Sequence, residues 1–323
     1  MFAHNLPFDP TYGYTEEQMR QIIPPEPAAD FEAFWRSKYQ ASLNVPTRIA
    51  FSDYPGPVRN HAIVRQIDFD AMGLNGQPPV RLGGWLIEPK NVAPVRLEVN
   101  GHGYGGRDAP DQSGANEPVV RLQVCKRGFH RSVQADLPAN ESKRHVVSGI
   151  GSRETYVHLG NAADLWAAVK VLSELFPTLI SKLDYAGGSF GGGIGALAMP
   201  WDKRVRRVFL DVPSFGNHPL RLSMRCEGSG EAVRQLHQSG HDLMPVLQYF
   251  DAAVATRFMD KPTIVGCARF DPAVPPPGQF SVYNAIRSRK KLVPRDGGHW
   301  DYPNQARQVA DLQRQVRDWF DAE

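Results

Sequence analysis

Gly187-Gly188-Ser189-Phe190-Gly191 fits the G-x-S-x-G pattern, a strained strand-to-helix turn that holds a serine hydroxyl clear of the backbone. Residues 182–186 before it read as a short buried strand, and residues 192–199 after it as a close-packed helix. The helix aims its first N–H groups and its dipole at the place where an oxyanion would form. A serine so placed can act as a nucleophile if a base, an acid and a second oxyanion donor accompany it. It can also be a plain helix N-cap, the commonest use of serine before a helix.

The partners follow in workable order. Residues 262–267 (Pro-Thr-Ile-Val-Gly-Cys) are apolar and β-branched, which predicts a buried strand, and Asp271 lies just beyond it. Residues 291–294 predict a second short strand. After it, Asp296-Gly297-Gly298-His299-Trp300 puts His299 in a Gly-rich loop ahead of a helix over 305–320. Serine, then acid, then histidine is the chain order of α/β-hydrolase triads. Asp251, Asp260 and Asp296 compete for the acid's place, Asp271 could simply start a turn before Pro272, and His299 could be an ordinary loop histidine. Upstream, a strand over 95–99 runs into Asn100-Gly101-His102-Gly103-Tyr104-Gly105-Gly106, similar to the H-G-G-G loop that completes an oxyanion hole. The expected donors are the backbone N–H groups of Tyr104 and Phe190.

From about residue 31 to the end, the chain resembles the acetyl xylan esterase and cephalosporin C deacetylase group, carbohydrate esterase family seven. The likeness rests on Phe34-Trp35, His102-Gly103-Tyr104, Ser189-Phe190-Gly191-Gly192-Gly193, Asp211-Val212-Pro213, Asp271-Pro272-Ala273-Val274-Pro275-Pro276 and Tyr283-Asn284. It implies hydrolysis of acetyl-type esters by Ser189, Asp271 and His299 with no metal or cofactor, and a homo-oligomer, by the family's pattern a hexamer. Three positions depart from that pattern. Phe129 stands where the family's Arg-Gly-Gln motif ends, Phe190 replaces the glutamine after the nucleophile, and Trp300 replaces a glutamate. Each exchange puts an aromatic ring where a polar group stood. Phe129 and Trp300, with His102, are therefore expected among the substrate contacts, favouring esters of apolar or aromatic alcohols. The competing expectations are that the rings pack inward and that His102 braces the oxyanion loop. Other chemistry on the same triad (a lactone, an amide, a carbon–carbon bond, acyl transfer) remains the alternative, and a non-catalytic binding protein the remoter one.

These residues need a scaffold, and the rest of the chain predicts one. Segments 61–69 and 82–88 form an antiparallel hairpin across a Gly-Leu-Asn-Gly turn. From residue 95 strands and helices alternate, with further strands near 120–126 and 205–211 and a helix over 157–176 that Pro177 ends. The expected fold is α/β-hydrolase: a mostly parallel central sheet, helices on both faces and the N-terminal hairpin. Residues 1–50 form an extension whose helix packs Phe31, Phe34, Trp35 and Tyr39 on the core. Residues 51–323 form one domain with site-covering insertions near 127–156 and 214–249. The net charge of +3 is spread along the chain, which argues against a nucleic-acid partner. No apolar run approaches the ~18 residues of a membrane helix. The first 19 residues lack a signal-peptide pattern, and Cys125, Cys226 and Cys267 cannot all pair, so a cytoplasmic location is expected.

Overall fold

The computed structural model describes residues 2–322. Two helices precede the sheet. The first, α1 (Glu16–Arg20), escapes a search for apolar periodicity because it is barely more than one turn. A capping box holds it: Thr15 Oγ1 accepts from the Gln18 N–H, and Gln18 Oε1 accepts from the Thr15 N–H. In α2 (Phe31–Leu43), Phe31, Phe34 and Trp35 are buried, and Trp35 Nε1 donates to Tyr249 O at 2.8 Å. The aromatic stripe is thus a packing face.

Strands β1 (Ala50–Asp53), β2 (Ala62–Ala71) and β3 (Val80–Pro89) are antiparallel, with Phe69 opposite Leu82 in the expected hairpin. All four residues of β1 are exposed, so it lacks the inward alternation by which a strand is recognised. Then come β4 (Arg96–Gly101), β5 (Val119–Val124), α3 (Ser142–His145), α4 (Val157–Leu175), β6 (Leu183–Gly188), α5 (Phe190–Ala198) and β7 (Val205–Asp211). Four short helices follow: α6 (His218–Arg221), α7 (Gly230–Gln238), α8 (Met244–Leu247) and α9 (Ala252–Ala255). The chain closes with β8 (Thr263–Phe270), α10 (Pro276–Ala285), β9 (Lys290–Gly297) and α11 (Gln305–Asp321).

The strands make one sheet of order β1-β2-β3-β5-β4-β6-β7-β8-β9, parallel from β5 to β9. This is the α/β-hydrolase arrangement the sequence predicts. Helices α4 and α5 pack on each other and on β4, while α11 packs on β8 and β9. The β4–β5 connection runs in the opposite direction across the sheet and carries no helix. Beneath it lies a groove of about 430 Å³, where Glu98 receives Arg96 at 2.9 Å and Arg121 at 3.3 Å. Strand order reverses at β4, so the loops leaving β4 and β6 diverge and open a crevice at their carboxyl ends. That crevice is where Ser189 sits.

Candidate active site

Ser189 occupies the turn between β6 and α5 with φ +52° and ψ −115°, a conformation costing a non-glycine residue about 1–3 kcal/mol. The neighbours impose it. The Ser189 N–H donates to Asp211 O at 2.8 Å, and Ser189 O accepts from the N–H groups of Gly193 (2.9 Å) and Ser214 (3.1 Å). Glycine is required close by: a Cβ on Gly191 would stand 2.3 Å from Gly101 O, because α5 presses against the end of β4. Ser189 makes no side-chain cap bond to its helix, which removes the N-cap role.

His299 Nε2 lies 3.0 Å from Ser189 Oγ, and His299 Nδ1 lies 2.8 Å from Asp271 Oδ2. With Asp271 as acceptor, Nδ1 carries the proton and Nε2 is free to accept one from Ser189. Asp271 is wholly buried and saturated: Oδ1 accepts from the Ala273 and Val274 N–H groups, and Oδ2 also accepts from Gln279 Nε2. Burial works against a charged His299. The hydrogen bond and charge of Asp271, helped by Asp211, outweigh it and hold the imidazole above its ordinary pKa. The rival acids are occupied elsewhere. Asp296 lies inside β9 and pairs with Arg269 and Gln308, Asp251 caps α9, and Asp260 pairs with Lys261. Both β8 and β9 run further than their apolar cores predict, and this starts the acid's loop at Asp271.

The oxyanion loop lies across the crevice, with Gly103 close enough that a Cβ there would meet Ser189 Cβ at 3.8 Å. Neither the Tyr104 nor the Phe190 N–H has an acceptor among the described residues. Phe190 follows the serine directly in the chain, and Tyr104 lines one cavity with it. His102 is buried, and its Nε2 accepts the Lys126 N–H at 2.9 Å, so its proton is on Nδ1, bonded to Gly103 O at 2.7 Å. Burial and the Lys126 charge depress its pKa well below the ordinary value, and the ring stays neutral. Lys126, which sequence reading passes over as the end of a strand, is entirely buried, and its Nζ donates to His102 O at 2.8 Å. Burial, then the Arg107 charge, lower its pKa to about 7. Its one signal in the sequence is a lysine at the end of a segment that reads as a strand.

The aromatic substitutions require a correction. Phe129 and Phe190 are 1% and 0% exposed, and they form one cluster with Tyr104, His102, His145 and Phe215. Rings buried to that extent have no face left for a substrate. Phe129 and His102 therefore brace the oxyanion loop from behind and do not line the cleft. Trp300 packs on Phe270 with centroids 6.0 Å apart and lines neither pocket that opens on Ser189. The expected preference for aromatic alcohols loses its basis.

Comparison with known proteins identifies the family. Residues 2–314 match the family described as acetyl xylan esterase (AXE1). The chain belongs to the acetyl xylan esterase family. That membership makes it a carboxylic ester hydrolase. Among solved structures, acetyl xylan esterase 1 from Thermoanaerobacterium sp. JW/SL YS485 is similar with a TM-score of 0.79 at 18% identity, covering 98% of this chain and 100% of the other. An acetyl xylan esterase from Paenibacillus sp. R4 gives 0.77 at 19% identity, covering 94% and 99%. The Pyrococcus furiosus esterase Pf2001 gives 0.53 at 16% identity, covering 78% and 90%. At these identities the likeness concerns the fold.

Proposed function

We propose that this chain is a serine esterase that hydrolyses short, acetyl-type esters through Ser189, His299 and Asp271 by way of an acyl-enzyme. The observation that carries the reading is the unbroken chain of contacts from Ser189 Oγ to His299 Nε2 and from His299 Nδ1 to Asp271. His299 takes the Ser189 proton as Oγ attacks the ester carbonyl. Asp271 holds the imidazole in the right tautomer and stabilises its cationic form. The carbonyl oxygen becomes an oxyanion facing the Tyr104 and Phe190 N–H groups, each such donor being worth about 3 kcal/mol. Collapse expels the alcohol, which His299 protonates. Water, deprotonated by His299, then releases the acid and restores Ser189.

Family membership supports the acetyl group as the natural acyl part. A series of 4-nitrophenyl esters tests this, with kcat/KM expected to be highest for acetate and to fall with chain length. No turnover of acetate, or a clear preference for long chains, contradicts the proposal.

A further inference from the structure

The cleft contains a cation for which the ester chemistry has no use. A cavity of about 420 Å³ extends from Ser189 and His299 between the oxyanion loop and the α6–α7 segment, and Arg221 lines it with Ser142, Ser214, Phe215 and Glu227. Arg221 is 7% exposed, yet no carboxylate among the described residues lies within 4.0 Å of it. Among the described residues its guanidinium has one hydrogen-bond partner, Cys226 Sγ at 3.9 Å. Among the other buried arginines, Arg96, Arg121, Arg127 and Arg295 each meet a carboxylate, and Arg207 donates to the carbonyls of Phe320 and Ala322.

The acids near Arg221 are engaged or turned outward. Glu231 pairs with Arg234 and accepts the Cys226 N–H, and Asp271 is saturated. Glu227 stands exposed on the rim. The guanidinium also has a place made for it. A Cβ on Gly230 would stand 1.5 Å from Arg221 Nη2, so residue 230 must lack a side chain for Arg221 to lie as it does. An unpaired charge taken out of water is expensive, and a guanidinium fork matches a carboxylate in a two-point bond. An arginine kept unpaired beside a nucleophile is suited to an anion that arrives with the substrate.

We propose that Arg221 is a specificity residue that receives a carboxylate set apart from the scissile bond, so that the preferred substrates are short-chain esters of carboxylate-bearing alcohols. The inference rests on the reading of Ser189 as the nucleophile. The test compares kcat/KM for 4-acetoxybenzoate and 4-acetoxybenzamide, which differ at the group remote from the ester. Wild type should favour the carboxylate by about ten-fold or more, mainly through KM. Arg221→Gln should abolish that ratio and Arg221→Lys restore part of it. Glu227→Gln, an exposed change that removes a competing negative charge, should raise it. In wild type, 4-hydroxybenzoate should also inhibit more strongly than 4-hydroxybenzamide.

Ser189-dependent hydrolysis of both esters at similar rates leaves the esterase reading intact and overturns the role of Arg221. A preference that persists in Arg221→Gln overturns it too, as does an unchanged ratio in Glu227→Gln if Arg221→Gln does not fold. Hydrolysis of neither ester overturns the esterase reading and this inference with it.

Discussion

The rings of Tyr104 and Phe190 lie face to face, with centroids 3.9 Å apart and planes 9° apart. These residues also carry the two backbone N–H groups proposed for the oxyanion hole, so the stack ties one donor's loop to the other donor's helix. Behind it, Lys126 Nζ lies 4.5 Å from the Phe190 centroid and holds His102 O, and His145 approaches the Tyr104 hydroxyl at 3.3 Å. The donors are positioned by packing before any substrate arrives, which is the condition under which such groups contribute most.

Phe190→Ala removes a wholly buried ring and one half of that stack. Stability should fall by about 3–5 kcal/mol, as measured by urea unfolding. In Phe190→Leu, which keeps more of the volume, kcat should fall more than KM rises, because the missing element is donor alignment. Unchanged kcat in the leucine variant would mean that the stack does not set the hole.

Asp271→Asn should lower kcat by up to ~10⁴, since the amide favours the wrong imidazole tautomer. Asp296→Asn should leave kcat near wild type, because Asp296 serves Arg269 and Gln308 on the outer strand. Steady-state kinetics on 4-nitrophenyl acetate checks both, and the reverse order of damage would move the acid to the other loop.

The pH profile follows from His299. A protonated imidazole cannot take the Ser189 proton, so kcat/KM must fall as pH drops through the His299 pKa. Asp271 raises that pKa in the folded enzyme, which puts the midpoint of the acid limb above about 6.5, the ordinary histidine value. In Asp271→Asn the residual activity should show a limb shifted to lower pH. A limb that stays in place would assign the ionisation to another group.

Arg127 and Asp164 form a buried ion pair through Nη2 at 2.7 Å, with the Arg127 N–H adding a bond at 2.9 Å. Asp164→Ala strands a guanidinium in the core and should cost about 3–5 kcal/mol in chemical denaturation. A loss below about 1 kcal/mol would show that water or a rearrangement satisfies Arg127.

How legible this site was depended on whether its cause was local. A serine at positive φ between glycines is a local demand, so the elbow shows in five residues. The acid was ambiguous because Asp271 and Asp296 both follow short apolar runs. Only the pairing of Phe270 with Gly297 shows that β8 stops before one and β9 contains the other. The direction of Phe129 was not local at all: the turn at Gly128 (φ +86°) and the Arg127–Asp164 pair draw its segment inward. Likewise, the unpaired state of Arg221 is visible only once every nearby carboxylate has been placed.

Labelling with a fluorophosphonate, which forms a stable adduct on an activated serine, tests the proposed nucleophile most directly. Mass spectrometry should find one adduct per chain, on Ser189, that substrate suppresses and that Ser189→Ala lacks together with its esterase activity. An adduct on another residue, or a Ser189→Ala protein that still turns over acetate at the wild-type rate, would contradict the mechanism.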